Sequence, residues 1–499
     1  MENRLASPVF LLPVLVLAAL LRVWGLDSHS IWTDDSYAIE ISAGHHHWGH
    51  DIPRNELLTS ELDVTTLDST VSPVEVWTQT TFDTHPPLYF ITLRWWRKLW
   101  GSSVFSLRLL SVVFSLAAIA ALYLSARELN GPRIALLGCF IMAISGTQIQ
   151  HAQSIRNYTM MLTWVLVACA ALLRMQRLGA NRRRASALIV GSLLALLTHY
   201  LTILALAAMA LYAAIFLRDR VRLWVLACFP VAGVLFIIMW GPWLFPQMRG
   251  WTADMGFALG ACGRRGLLNT LQYFASNSIR MLFTVPHAGY AAWLGAMLFV
   301  LPPIVCRESK VLFWWLLLFV PAALLATLDL ALGGCLASFE RYSFATTPAA
   351  CMLVPSLASV WRGRGVLLSA VVVIACALHL SSGYEPYQGH TADYRVAAAN
   401  FEKVFNSDDD ALLVERGWDV EAASRMVMFY MAKPPRHLAY LTKGATPDAV
   451  PLGDSIKNVW LLSKGKILPD DFATQYRITE SVQVGRSASF KQLQRLNEE

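Results

Sequence analysis

Two adjacent carboxylates, Asp34 and Asp35, stand in IWTDDSY just past a long apolar segment. Neighbouring carboxylates repel, which can raise one pKa and leave a group fit to take a proton from a hydroxyl. The alternative reading is a solvated turn after a helix. Further on, FDTHPPLYF presents Asp83 and His85 beside Pro86 and Pro87. The two prolines fix φ and remove two backbone donors, so Asp83 and His85 are carried on a rigid extended turn. SIRNY supplies Arg156 and Tyr158, and FERYS supplies Glu340, Arg341 and Tyr342. An Arg beside a Tyr at a span end either snorkels to the interface or grips a phosphate with its planar fork of donors. GHHHWGHD (44–51) is dense in His45, His46, His47 and His50. A helix would bring His46 and His50 together at i and i+4, but no HExxH pattern or Cys partner accompanies them. No metal site is assigned there.

The elements that must hold these residues are membrane spans. The chain has 499 residues, 56% hydrophobic and 15% charged, with mean hydropathy +0.46. Soluble globular chains carry roughly 25% charged residues, so the composition indicates a polytopic α-helical membrane protein. Apolar runs over roughly 8–25, 103–125, 134–150, 158–174, 186–199, 201–217, 223–241, 288–305, 311–329, 344–360 and 366–381 make about eleven transmembrane helices. Stretch 186–217 is divided at THYL, because one helix of that length would measure about 48 Å. Division leaves the clusters Arg182 to Arg184 and Arg218 to Arg222 on one side, with Arg127, Arg133, Arg307, Lys310, Arg362 and Arg364. Positive loops face the cytoplasm. The N-terminus is therefore expected inside, in a multi-pass inner (plasma) membrane protein. The long first loop (26–102), HAQSIRNY, a loop over 242–287, GGCLASFERYS and the tail fall outside. Asp34, Asp35, Asp83, His85, Arg156, Tyr158, Glu340, Arg341, Tyr342 and the histidines of GHHHWGHD share that face.

The tail (384–499) turns polar, and DYRVAAANFEKVF has helical spacing. ALLVE, HLAYL and NVWLLS read as buried strands. The domains are thus 1–383, a transmembrane part containing the long outer loop, and 384–499, a soluble α/β domain. Arg22 and Trp24, near the end of the first apolar run, read as an interfacial anchor of a retained span, since no small-x-small cleavage site follows. LYFITLRWWRKLW reads as an amphipathic helix lying in the interface. Cys139, Cys169, Cys228, Cys306, Cys351 and Cys376 fall in or beside apolar runs, as small buried side chains. Cys262 and Cys335 fall in outer loops, where an oxidising compartment permits pairing. The net charge of +7 is spread over loops without a basic, aromatic-interleaved stripe, so nucleic acid is not expected as a partner.

In their order, LRVWGLDSHSIWTDDSY, DTHPPLYF, HAQSIRNYTMML and ERYSFATTPA resemble the GT-C membrane glycosyltransferases. The resemblance is to the bacterial branch related to protein O-mannosyltransferases and lipid A aminoarabinose transferases, and covers about residues 8 to 360. It implies a polyprenyl-phosphate-linked sugar donor and a lipid, glycan or protein acceptor. It implies transfer at the outer face with no nucleotide; a divalent cation is left open and no other cofactor is implied. It makes Asp34 the base and aligns Asp35 with a position usually held by Glu, so this chain has the shorter reach there. By the same analogy His85, with Asp83 before it, Arg156 with Tyr158, and Arg341 with Tyr342 hold the donor phosphate. Direct attack by the acceptor would invert the anomeric centre. A transporter or flippase of polyprenyl-linked sugar is the alternative, but it should carry polar groups near the middle of its spans. A non-catalytic envelope sensor is a third reading, in which Asp34 is dispensable.

Overall fold

The computed structural model describes residues 8–45, 52–58, 65–254, 267–282, 289–334, 336, 339–361, 363–381, 393–453, 455–465, 467–468, 470–484 and 488–496. By packing, the chain divides into two compact units. The first comprises Met1–Leu26, Thr80–Trp96 and Phe105–Glu385; the second comprises Asp27–Gln79, Arg97–Val104 and Pro386–Glu499. The compositional boundary at 384 marks where the polar tail begins. The packing unit built on that tail also takes in the first-loop residues 27–79.

The first unit is helical. Each of the eleven apolar stretches contains helix. Among the described residues, four helices are long and apolar enough to cross a membrane: Val104–Asn130, Tyr158–Leu178, Asp219–Arg249 and Ser309–Ala331. Pro132–Ile144 and Gly146–Ala152 make a fifth if taken as one span bent by 64°. The stretch around THYL is two helices, Arg182–Thr198 and Thr202–Phe216. Asn181 starts the first of them by accepting a hydrogen bond from the Arg184 N–H, a side-chain cap for an otherwise unpaired donor. The described part of the region expected as an outer loop, 242–254 and 267–282, is largely helical. Helix Asp219–Asp254 runs through Pro230, Pro242 and Pro246, and Leu267–Arg280 forms another. Interior prolines remove one hydrogen bond each and favour a kink, but the apolar setting leaves the backbone no better partner than itself.

Three arginines sit differently from their expected places. Arg22 is fully buried rather than interfacial. Its Nε donates to Ser115 Oγ at 2.8 Å, and its guanidinium donates to the carbonyls of Ala143 at 2.8 Å and Met142 at 3.1 Å. Those carbonyls end the helix that breaks at Ser145, so Arg22 satisfies groups the bend sets free. Trp24, by contrast, is 85% exposed. Helix Leu88–Trp100 also turns its arginines inward: Arg94 and Arg97 are buried, while Trp95, Lys98, Leu99 and Trp100 face out. The six cysteines of the apolar runs are buried free thiols. Cys262 and Cys335 lie outside the described residues.

The second unit is built on a five-stranded sheet: β1 (Asp410–Val414), β2 (His437–Tyr440), β3 (Asn458–Lys464), β4 (Tyr476–Val484) and β5 (Ala488–Arg495), in the order β2-β1-β3-β5-β4. β1 pairs in parallel with β2 and β3, and β5 pairs antiparallel with β3 and β4. Helix Trp418–Tyr430 supplies the crossover that the parallel β1 and β2 need. β1 is buried along its whole length, as a central parallel strand should be, while β4 is polar and exposed at the edge. ALLVE, HLAYL and NVWLLS coincide with β1, β2 and β3, and DYRVAAANFEKVF contains helix Tyr394–Phe401. First-loop residues extend this sheet domain: Arg54 and Leu58 bridge to Tyr440 and Leu438 beside β2.

Candidate functional site

In the first unit, Asp83 and His85 lie on the turn between the short Thr80–Phe82 helix and Leu88–Trp100. The prolines prevent the turn from winding into either helix and leave its side chains to bond one another. Asp83 is buried, and its Oδ1 accepts from the His85 backbone N–H at 2.7 Å. The same oxygen lies 2.9 Å from His85 Nδ1. On the other side of the ring, Arg156 Nη2 is 3.4 Å from His85 Nε2. A guanidinium only donates, so a neutral His85 carries its proton on Nδ1, toward Asp83. The result is a carboxylate–imidazole–guanidinium chain. The Arg156 guanidinium also lies over the Tyr158 ring, 5.9 Å from its centre. Arg156 and Tyr158 are held at the start of Tyr158–Leu178 by Asn157, which donates to the Thr198 carbonyl at 2.9 Å.

The second Arg-Tyr element reaches this cluster through a residue that sequence reasoning missed. In the 3-10 helix Glu340–Thr346, Phe344 packs on His151 at 4.3 Å and on Tyr158 at 5.8 Å between ring centres. Arg341 is close enough to act electrostatically on His151 and His199. Tyr342 instead packs against the apolar cluster of Phe274, Leu325 and Leu336. An aromatic three positions after an Arg was the one available signal for Phe344, and it is weak.

Gln247 was also missed. It is buried in helix Asp219–Asp254, and its amide donates to the carbonyls of Thr80 at 2.9 Å, His85 at 3.1 Å and Asp83. Its carbonyl accepts from Tyr200, whose hydroxyl accepts from Trp240 Nε1 at 2.6 Å. One side chain therefore clamps the whole Asp-Thr-His turn. A lone Gln in an apolar run was the signal, since a polar group at such a place is expensive without partners. Gln247→Leu is expected to destabilise the protein by about 1–3 kcal/mol, the cost of leaving buried acceptors unmet. A melting curve in detergent superposable on wild type would contradict this.

In the second unit, Asp34 and Asp35 do not form an exposed turn. They fall in the first turn of helix Thr33–Ala43, whose positive end suits carboxylates. Asp35 is buried, with Oδ1 accepting from Trp32 Nε1 at 2.9 Å, while Asp34 is half-buried. The helix is tied down at several points. The Ile31 N–H donates to the Tyr430 hydroxyl at 2.8 Å just before it. Arg97 donates to the Ile39 carbonyl at 2.8 Å and Ser42 Oγ at 2.9 Å near its end. Gly44 closes it with φ of 110°, and a Cβ there would lie 2.9 Å from Val71; only glycine meets both demands.

In its middle, Glu40 pairs with Arg425 at 2.9 Å, with both side chains buried. Burial pushes the Glu40 carboxyl up, against the pull of Arg425. Burial also works against the Arg425 charge, but Glu40 together with Tyr440, Tyr37 and Glu421 outweighs it and holds the guanidinium above its already high pKa. Breaking such a pair strands a charge. Arg425→Met alone is expected to cost about 3–5 kcal/mol, and adding Glu40→Leu should recover most of it. Urea unfolding of the two variants checks the difference; equal losses would contradict it.

Among the described residues, no group of three or more His, Cys, Asp or Glu side chains is arranged to hold a metal ion. His46, His47 and His50 lie outside the described residues.

Residues 84–245 match the family model described as dolichyl-phosphate-mannose-protein mannosyltransferase. The matched stretch contains His85, Arg156, Tyr158 and His199; Asp34, Asp35 and Arg341 lie outside it. No curated protein matches the chain significantly. Solved structures with a similar trace include ArnT from Cupriavidus metallidurans bound to undecaprenyl phosphate, 14% identical, TM-score 0.49, covering 97% of this chain and 98% of that one. The Archaeoglobus fulgidus oligosaccharyltransferase complex with Zn and sulfate is 13% identical, TM-score 0.45, covering 90% and 67%. The mycobacterial arabinofuranosyltransferase AftD is 11% identical, TM-score 0.39, covering 97% and 41%.

Proposed function

Starting from a GT-C-type membrane chain related to the protein mannosyltransferases, we propose that it moves a sugar from a polyprenyl-phosphate donor to an acceptor at the outer face of the inner membrane. The observation that carries this reading is the Asp83–His85–Arg156 chain. It presents a fixed guanidinium, of the kind that stabilises a departing phosphate. In the reaction the acceptor oxygen attacks the anomeric carbon and the bond to the lipid phosphate breaks. The phosphate leaves as an anion, toward Arg156 and the neighbouring positive charge of Arg341. Because it needs no proton to leave, one base suffices, and attack from the opposite face inverts the anomeric centre. Asp34 takes the proton of the acceptor. Asp35, turned onto Trp32, supports the start of the Asp34 helix. The N-terminus lies in the cytoplasm and the sheet domain outside.

The test uses the purified full-length protein in detergent with two donors, a polyprenyl-phosphate sugar and the matching nucleotide sugar. Consumption of the lipid donor alone, with product of inverted anomeric configuration, is expected. Use of the nucleotide donor, or retention of configuration, would overturn the mechanism. A transporter would consume neither in micelles, where there is no second compartment.

A further inference from the structure

His199 sits in the break between helices Arg182–Thr198 and Thr202–Phe216, and it is 5% exposed. Its ring stands edge-on to His85, with centres 5.0 Å apart, and lies 6.0 Å from the Tyr158 ring. Its tautomer can be read from the backbone. The Leu201 N–H points at His199 Nδ1 from 3.1 Å. An amide N–H can only donate, so Nδ1 accepts and the ring proton resides on Nε2. Yet Nε2 has no hydrogen-bond partner among the described residues. A buried N–H left unpaired costs free energy unless a ligand supplies the acceptor. The groups that surround this donor narrow the choice of ligand: Arg156 and Arg341 both act on it electrostatically, and so, less strongly, does Asp83, whose carboxylate is already engaged by His85. An acceptor welcomed by two guanidinium charges and a neutral N–H is an anionic oxygen.

We propose that His199 is a donor-binding residue, whose Nε2–H donates to a phosphate oxygen of the polyprenyl-phosphate substrate. This rests on the lipid-phosphate reading above and adds a neutral donor to its two cations. The break at His199–Leu201 then has a purpose beyond dividing two helices. It frees the Leu201 N–H from helical bonding so that it can set the tautomer of His199.

The test measures binding of undecaprenyl phosphate, and of undecaprenol as a control lacking phosphate, to the full chain in nanodiscs. His199→Phe keeps the ring and removes the donor; it is expected to weaken undecaprenyl phosphate about 10- to 100-fold and leave undecaprenol unchanged. His199→Gln carries an N–H near the Nε2 position and should restore most of the affinity. His199→Asn reaches only the Nδ1 position and should behave like Phe. Equal binding by wild type and His199→Phe would overturn the proposal, as would parallel losses for both lipids, or Gln no better than Phe. Displacement of the lipid by equimolar inorganic phosphate would overturn the lipid as the source of the oxygen. Failure of wild type itself to bind undecaprenyl phosphate would instead remove the lipid-donor reading. Arg156→Ala, run alongside, should lose the lipid whatever the role of His199.

Discussion

Asp34→Asn is expected to lower the rate of sugar transfer by about 10²- to 10⁴-fold, the usual worth of a positioned general base. The substitution keeps the size of the side chain and removes only its ability to accept a proton. Asp34 is half-buried in the first helical turn, while Asp35 beside it is buried and bonded to Trp32. The two carboxylates should therefore separate on mutation. Asp34→Asn should leave unfolding unchanged and lower turnover by that factor. Asp35→Ala should cost about 1–2 kcal/mol of stability through the lost Trp32 bond. Initial rates at saturating donor, paired with melting curves, give both readouts. Full activity in Asp34→Asn would remove the base assignment and leave the donor site standing, because the two rest on different observations.

Arg156→Met should be nearly as severe, at about 10²- to 10³-fold in turnover, the loss typical of one preorganised group facing developing charge. The informative comparison is Arg156→Lys. Lysine restores the charge but not the planar fork, and it cannot reach both His85 and a phosphate with fixed geometry. Little recovery in Lys is expected. Near-complete recovery would mean that Arg156 contributes only a diffuse positive field. Because the Arg156–His85 contact orders the ring whose other nitrogen meets Asp83, His85→Ala combined with Arg156→Met should lose less than the two single losses multiplied together.

The apolar runs and the strand cores were legible because length and periodicity report them directly. Helices lie at each of the eleven stretches, and β1 to β3 coincide with the three runs read as strands. The break at THYL was legible for a geometric reason, since an undivided helix would outrun the bilayer. Contacts made at a distance were not legible. Arg22 reads as an anchor by its place at a span end, but the carbonyls that need it belong to a helix more than a hundred residues on. Gln247 and the Asp83–His85 turn are similarly remote in sequence. Asp83, His85, Arg156 and Tyr158 were singled out one motif at a time, and the first unit brings all four together. His199 stands alone in THYL, with no motif around it. Its role emerges only once the Leu201 N–H is seen to occupy one ring nitrogen and leave the other without a partner among the described residues. The packing of residues 27–79 with the tail was equally hidden, because composition reports what faces water and not which polar segments adhere.

The central claim is that a polyprenyl-phosphate sugar is consumed with release of its phosphate carrier. The direct measurement is the amount of unsubstituted polyprenyl phosphate formed by purified protein in detergent, with donor and acceptor present. One equivalent per sugar transferred is predicted for wild type, falling to background in Arg156→Met. Sugar appearing on the acceptor without release of polyprenyl phosphate, or no release with any hydroxyl acceptor offered, would contradict it.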